Sequence, residues 1–222
     1  MLRILFLILL CIAAAPTALA QDAVQVDGNH YKVLLENDQV RVLRIHYNPG
    51  EKSIMHEHPA NVAVFLGNSH ATFTFADGTT AKASPKTGEV QFGEAVKHLP
   101  ANTGKTPVDV VLVELKGKAA TMTPVKMDPV KVDPAHHKVE FENDRVRVLR
   151  VNFKPRGKTK QHDHPNGVAI FLTDIKAKFT LGDGKTREAE SKRGDATWAA
   201  AEMHSVENMG GKRAEVILVE LK

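Results

Sequence analysis

The chain has 222 residues, a mass of 24.3 kDa and a formal net charge of +4. Hydrophobic residues make up 42% and charged residues 25%, which excludes a largely disordered chain and is typical of folded globular proteins. Positive and negative side chains are interspersed without a basic block, so nucleic acid is not an expected partner.

The first twenty residues differ from the rest of the chain. Arg3 precedes an apolar run over residues 4–15, and small residues frame positions 18–20. This order is typical of a cleavable secretory signal peptide, which we place at residues 1–20. The apolar run is short for a membrane span, which needs about 20 residues. The sequence therefore predicts a periplasmic or secreted protein without a stable membrane anchor after signal cleavage.

The only cysteine, Cys11, lies inside this signal. The mature chain would then have no cysteine for a disulfide, a thiolate metal site or a nucleophile. Lipid attachment at Cys11 is disfavoured because Leu10 stands where such sites require a small residue.

The remainder of the chain is an internal repeat with one constant offset and no gaps. Residues 36–38 and 40–44 recur as residues 142–144 and 146–150. The repeat identifies the residues that both copies share. It also divides the chain into two similar halves.

The repeat predicts two domains joined by a linker. We place an N-terminal domain at residues 22–117 and a C-terminal domain at residues 130–222. The connecting residues 118–129 lie within a stretch, residues 117–135, that is rich in lysine and proline. Proline prevents a long regular helix and favours an extended, semi-rigid connector.

Each copy has the pattern of a small all-β domain. Apolar and polar residues alternate over residues 40–45, 71–75 and 108–115 and over their counterparts. Asp77-Gly78 and its counterpart are hairpin signals. Helical periodicity over three turns is absent from the sequence. Many short strands within about 90 residues predict a jelly-roll barrel or small sandwich in each copy.

The histidines carry the clearest chemical signal. The motif His-x-His-Pro places His56 and His58 around Glu57 in the first copy, and the second copy repeats it with His162 and His164. Residues two apart on a strand point to the same face, so the two imidazoles should project together and Glu57 should point away. Neutral imidazole is a ligand for zinc, copper, iron and nickel.

A third histidine is also shared by the two copies, and it is the natural third ligand: His98 in the first and His204 in the second. His30 and His136 stand near the domain starts, where a structural or surface role is expected. The remaining histidines have no counterpart in the other copy, and we predict that they are surface residues: His46, His70 and His137.

These residues resemble the two sequence motifs of the cupins. The first motif corresponds to Gly50, His56 and His58, and the second to the shared residues Gly88, His98 and Asn102 and Gly194, His204 and Asn208. The resemblance covers nearly the whole mature chain, once per copy, and is strongest to small bacterial quercetinase-like cupins arranged as a bicupin. It implies two tandem double-stranded β-helix barrels, a metal inside each barrel, and intramolecular pairing of the two domains.

The chain departs from the cupin pattern at one ligand. The family often supplies a glutamate shortly after His-x-His, but Val62, Ala63, Val168 and Ala169 occupy those positions. At most three histidines per site remain. We expect one divalent transition metal per domain (Fe, Zn, Ni, Cu or Mn) with these ligands: His56, His58 and His98; His162, His164 and His204.

Other residues kept by both copies have two interpretations each. Phe65 and Phe73 fit an apolar pocket wall, although core packing is the commoner role. Arg41 and Arg44 sit in a strand, where an arginine usually faces solvent along its stem, and the alternative is a clamp for a carboxylate near the metal.

Three functions stay open at this point. The chain is an exported metal-dependent enzyme acting on a small organic molecule, by resemblance a dioxygenase, isomerase or decarboxylase. Alternatively it is a non-catalytic periplasmic protein that binds a metal or small ligand, or a structural bicupin with empty sites. The sequence does not settle whether the protein is an enzyme.

Overall fold

The computed structural model describes residues 21–117 and 124–222. The predicted signal peptide, residues 1–20, lies outside the described residues, and so do residues 118–123 of the predicted linker. Within the two described ranges no helix has the length and apolar character needed to cross a membrane.

The described residues form eighteen strands and two short helices. In the first copy the elements are α1 (Ala23–Asp27), β1 (Tyr31–Glu36), β2 (Val40–Tyr47), β3 (His56–His58), β4 (Asn61–Phe65), β5 (Ala71–Phe75), β6 (Thr80–Ala83), β7 (Val90–Gly93), β8 (Val96–Asn102) and β9 (Val108–Leu115). In the second copy they are α2 (Pro129–Val132), β10 (His137–Glu142), β11 (Val146–Phe153), β12 (His162–His164), β13 (Gly167–Phe171), β14 (Ile175–Leu181), β15 (Thr186–Ser191), β16 (Ala196–Ala199), β17 (Glu202–Asn208) and β18 (Ala214–Leu221).

Each copy folds into two antiparallel sheets with the same topology. A five-stranded sheet has the order β1-β2-β9-β4-β7, and a four-stranded sheet has the order β3-β8-β5-β6. The second copy repeats these orders as β10-β11-β18-β13-β16 and β12-β17-β14-β15. Such sheet pairs with crossing connections form a jelly roll. The predicted fold class, two tandem jelly-roll barrels, is confirmed, whereas the exact domain and linker boundaries stay predictions.

The predicted Asp-Gly turn residues lie in hairpins of the structure. Asp77 and Gly78 join β5 to β6, and Gly78 has φ +82°. The counterpart Gly184 joins β14 to β15 with φ +84°. Glycine adopts this left-handed backbone without the steric cost that a side chain would add, so both hairpins can close tightly.

Strand β9 is buried on both faces. Val108, Val110 and Leu112 point into the first barrel, whereas Val111 and Val113 point to the opposite face. Side chains alternate along a strand, so an almost continuous apolar run is required here instead of simple alternation. The strand therefore links the inside of the barrel to a second apolar layer outside it.

That second layer is a core shared by both barrels. Val42 and Val113 from the first copy lie in one buried cluster with Val148, Ile170 and Val219 from the second, all 0% exposed. Each barrel also has its own interior cluster. The two five-stranded sheets thus pack face to face across a common core.

Polar contacts repeat this pairing symmetrically. Arg44 donates from Nη1 to the carbonyl of Gly194 at 3.0 Å, and Arg150 donates from Nη2 to the carbonyl of Gly88 at 2.6 Å. Arg44 also pairs with Asp109 at 2.6 Å. Gly194 has φ +89°, which favours glycine, and a Cβ atom there would displace the Arg44 guanidinium from this contact. The expectation that Arg44 faces solvent was therefore wrong.

We predict that the shared core couples the stability of the two barrels. Leu66 of the first barrel is 1% exposed in this core, and Leu66→Ala should cost about 2–5 kcal/mol. The sole tryptophan, Trp198, lies in the second barrel and packs against the same core. Urea unfolding followed by its fluorescence should shift to lower denaturant in the variant.

Leu34→Ala is the matched control, because Leu34 is 42% exposed and its loss should change the free energy of unfolding by less than about 0.5 kcal/mol. An unchanged Trp198 transition in Leu66→Ala, beside a separate earlier transition in circular dichroism, would contradict a shared core.

Candidate metal centres

The His-x-His motif forms the short strand β3. His56 and His58 are buried, at 0% and 4% exposure, whereas the side chain of Glu57 is 38% exposed and pairs with Lys97 at 3.2 Å. The predicted orientation of the two imidazoles on one face is confirmed. Strand β8 lies beside β3 and sets His98 directly opposite His56.

The structure brings the three predicted histidines of the first barrel together. The potential ligand atoms of His56, His58 and His98 all lie within 4.8 Å of one another. The ring centroids of His56 and His98 are 5.0 Å apart and those of His58 and His98 are 5.4 Å apart. Three imidazoles that converge in this way could hold a transition metal.

Hydrogen bonds fix which ring nitrogen is free. His56 donates from Nδ1 to the carbonyl of Ile54 at 2.7 Å, because a carbonyl can only accept. His58 donates from Nδ1 to the carboxylate of Glu114 at 2.7 Å. When both rings are neutral, each Nε2 atom carries a lone pair, and these two atoms are 3.0 Å apart. Two facing lone pairs repel unless a proton or a metal cation lies between them, so the neutral pair suits a metal ion.

Glu114 reaches the site from β9. It is 1% exposed, and Arg41 on the neighbouring strand β2 donates from Nε to its Oε2 at 2.5 Å. Burial opposes ionisation of Glu114, but hydrogen bonds from His58 and Arg41 hold its pKa below the usual value. The carboxylate is therefore charged and orients His58 from behind, as carboxylates do for many metal-bound histidines.

Two imidazoles of the first site are neutral at ordinary pH. Burial lowers the pKa of His56 to about 4 and the pKa of His98 to about 3. Neutral imidazole is the form that binds metals, because protonation occupies the lone pair.

A pair of tyrosines lies against the same histidines. Tyr47 donates its hydroxyl hydrogen to Tyr31 at 2.6 Å, and the Tyr31 hydroxyl lies 2.9 Å from Nε2 of His56. Burial raises the pKa of the Tyr31 hydroxyl above its ordinary value. Tyr31 is therefore a neutral phenol whose hydroxyl faces the nitrogen that would bind a metal.

The second barrel repeats the His-x-His arrangement on β12. His162 and His164 are 1% and 6% exposed, and β17 sets His204 opposite His162. His162 donates from Nδ1 to the carbonyl of Lys160 at 2.7 Å, so its Nε2 is free. The rings of His162 and His204 have centroids 4.9 Å apart, and Nδ1 of His204 lies 2.9 Å from the carboxylate of Glu202.

The compact group of nitrogens in this barrel includes a histidine that was not expected. The potential ligand atoms of His137, His162 and His164 lie within 4.8 Å of one another, and the predicted ligand His204 is not part of that group. His137 is 2% exposed, so the expectation that it is a surface residue was wrong. The surface assignments of His46 and His70 are confirmed, since both are exposed.

A carboxylate also stands behind His164. Oε1 of Glu220 lies 2.7 Å from Nδ1 of His164, and Arg147 donates from Nε to the other oxygen at 2.5 Å. Glu220 is 0% exposed, and burial raises its pKa even though Arg147 contacts it. Arg147 is 6% exposed, so neither it nor Arg41 faces solvent as the usual role of a strand arginine had suggested.

The carboxylates Glu114 and Glu220 were not identified from the sequence. A signal was present, because each is an acidic residue near the end of a mostly apolar strand, on the same face as the barrel-facing apolar residues, and both copies keep it. A charge on the barrel-facing side of a doubly buried strand requires a partner, and this marks it as a candidate for the site.

The first site opens into an apolar cavity of about 200 Å³. Its wall includes the two tyrosines and Phe65 and Phe73, so the phenylalanines contribute to the pocket. Ala63, at a position where cupins often carry a ligand glutamate, lines the same cavity and leaves space beside the histidines. Such a cavity admits a small ligand next to the metal position.

The second cavity, of about 270 Å³, has a charged element that the first lacks. Arg187 stacks over Phe179 with 4.0 Å between the guanidinium carbon and the ring centre, and it pairs with Glu202 at 2.5 Å. The repeat places Ala81 and Val96 at the corresponding positions of the first barrel. The two cavities therefore present different chemistry to a ligand.

Comparison with known proteins supports the fold. No protein-family model and no curated protein sequence matches the chain. The crystal structure of AerE from Microcystis aeruginosa aligns with a TM-score of 0.66 at 11% identity, over 86% of this chain and 91% of that one. The oxalate decarboxylase of Bacillus subtilis, in its structure at pH 4.6, aligns with a TM-score of 0.60 at 14% identity, over 83% and 68%.

An oxalate decarboxylase–formate complex from Lactobacillus farciminis has a TM-score of 0.57 at 13% identity, over 84% of this chain and 78% of that one. At these identities the similarity concerns the fold, and it shows that the chain has the architecture of a bicupin.

We predict that Glu114→Gln weakens metal binding at the first site by about 10–100-fold. A glutamine amide can donate a hydrogen bond to Nδ1 of His58, which would move the ring proton to Nε2 and block the ligand atom. The measurement is Zn²⁺ affinity by chelator competition, in a His164→Ala background that disables the second site. Glu57→Gln is the control, because Glu57 lies on the opposite face of β3. Equal affinities in the two variants would contradict the assigned role of Glu114.

Proposed function

We propose that this protein is an exported metal-binding bicupin that holds one divalent transition metal in each barrel and acts on a small organic molecule. The proposal rests mainly on the paired Nε2 atoms of His56 and His58, 3.0 Å apart with both Nδ1 atoms committed to acceptors. The same motif in the second barrel supports a second metal.

The donor set indicates the kind of metal. Three imidazole ligands with no carboxylate ligand leave the ion at its full charge with open positions, which favours Fe(II), Zn, Ni or Cu over a tightly held Mn. The predicted ligands are His56, His58 and His98 in the first barrel and His162, His164 and His204 in the second. When bound, such a metal supplies Lewis acidity and a binding position for an anionic or chelating group.

The cavities support a small organic substrate. The first cavity, of about 200 Å³, adjoins the histidines and is lined mainly by apolar side chains, with tyrosine hydroxyls near the metal position. Dioxygenation, isomerisation and decarboxylation are the reaction classes that the cupin resemblance implies. The similar structures include oxalate decarboxylases, one of them with formate, which favours a small carboxylic acid as the substrate.

A second candidate is a non-catalytic protein that captures a metal or a metal-chelating ligand. One observation favours it: the buried carboxylates beside the histidines, Glu114 and Glu220, are each held by an arginine and a histidine. A carboxylate committed in this way is not free to serve as a general base for a substrate.

Metal content tests the proposal directly. We expect about two equivalents of transition metal per chain, measured by elemental analysis of untagged mature protein, because each barrel offers one group of converging imidazoles. The double variant His58→Ala/His164→Ala should lose both equivalents. The exposed pair His46→Ala/His70→Ala is the control and should keep them.

If no metal binds, even after reconstitution with Fe(II), Zn, Ni, Cu or Mn, the metal-dependent function is wrong. If the metal binds, turnover of small carboxylic acids by the loaded protein separates an enzyme from a binding protein. A ligand that binds tightly and is recovered unchanged supports the second candidate.

Export is tested by the mass of the protein recovered from a periplasmic fraction. Arg3 and the apolar run after it favour cleavage following Ala20. Expression of the full sequence in a Gram-negative host should therefore yield a chain that begins at Gln21. Retention of residues 1–20 on a cytoplasmic protein would contradict export, while Arg3→Glu should delay processing.

A further inference from the structure

The two sites differ at one position of the repeat. Tyr31 begins β1, and the equivalent residue His137 begins β10. Both side chains are 2% exposed and point into their barrels against the His-x-His pair. The difference therefore lies beside the metal position itself.

His137 is placed to offer a free nitrogen. Its ring centroid lies 4.5 Å from that of His162 and 5.8 Å from that of His164. Its Nδ1 donates to the carbonyl of Asp133 at 3.2 Å, which leaves the Nε2 lone pair available. Together with its place in the compact group of nitrogens, this gives His137 the properties of a ligand.

A second pair of equivalent residues near the histidines also differs between the two barrels. In the first barrel Tyr47 donates to the hydroxyl of Tyr31, whereas the residue equivalent to Tyr47 in the second barrel is Phe153. With histidine at position 137, a hydroxyl at position 153 has no tyrosine oxygen to bind. The two substitutions together convert a hydrogen-bonded phenol pair into an imidazole beside an apolar ring.

His204 lies beside the His162–His164 pair as well. Its ring centroid is 4.9 Å from that of His162, and Glu202 holds its Nδ1. The equivalent of Glu202 in the first barrel is Val96, so His98 has no such carboxylate. The second barrel thus has three imidazoles in the compact group and a fourth, His204, beside it, and each of the four has an acceptor at Nδ1.

We propose that His137 is a metal ligand, so that the second site would hold its metal through four imidazoles and the first site through three, with the Tyr31 hydroxyl 2.9 Å from Nε2 of His56 in place of a fourth. This inference rests on the proposed function. Four nitrogens leave fewer positions for an external ligand and favour tighter binding of Zn, Ni or Cu. The first site keeps an open position beside a neutral hydrogen-bond donor and is the one suited to an oxygen-containing substrate.

The test uses two single-site proteins. His58→Ala leaves only the second site, and His164→Ala leaves only the first. Zn²⁺ affinity is measured by chelator competition, and Cu²⁺ electron paramagnetic resonance reports the number of coupled nitrogens. In the second-site protein, His137→Phe should lower Zn²⁺ affinity by at least about tenfold and remove one nitrogen coupling. His70→Phe, at an exposed position of the first barrel, should change neither.

The reverse substitution, made in the first barrel, is the control for a folding defect. In the first-site protein, Tyr31→His should raise Zn²⁺ affinity by at least about tenfold and add a nitrogen coupling, a gain that misfolding cannot produce. Unchanged affinity and nitrogen count in both exchanges would overturn the inference while leaving the metal-binding function intact. Failure of both single-site parents to bind Zn²⁺ or Cu²⁺ would overturn the inference and the proposed function together.

Discussion

The buried contact between Glu114 and Arg41 is the constraint on which the first site depends. A carboxylate at 1% exposure needs a cationic partner, because an unpaired charge in a barrel interior is strongly destabilising. Arg41 supplies that charge and in turn pairs with Asp22, the N-cap of α1, at 2.5 Å. The second oxygen of Glu114 is then free to orient His58. One chain of contacts therefore joins the helix cap, two strands of the large sheet and His58.

The second barrel keeps the same chain of contacts at the equivalent positions. Asp128, the N-cap of α2, pairs with Arg147 at 2.9 Å, and Arg147 pairs with Glu220, which contacts His164. Since β9 and β18 carry these glutamates on one face and the shared core on the other, packing between the barrels fixes the strands that position the sites. The position of each carboxylate thus depends on apolar contacts made by both copies.

The fold class and the His-x-His part of each site could be predicted from the sequence, because both depend on residues that are close together in the chain. Alternation along β3 dictates that His56 and His58 share a face, and the repeat identifies the histidines that both copies keep. Pairings across a sheet are not local, so the sequence did not connect Glu114 to His58 or Arg41 to Glu114. Comparison of the two copies also has a built-in bias, because it finds what they share. His137 was assigned to the surface for lack of a counterpart, although it is buried beside His162.

The differences between the copies described above lie in the cavity walls and beside the histidines, whereas the contacts of aspartate, arginine and glutamate behind His58 and His164 are alike. The second cavity has Arg187 and Glu202 at its edge, and the first has alanine and valine at the equivalent positions. A guanidinium stacked on Phe179 favours an anionic group near the second site, and the apolar first cavity favours a ligand with a hydrocarbon part. Two barrels with the same strand topology therefore present different cavity walls, and each wall can accommodate a different ligand.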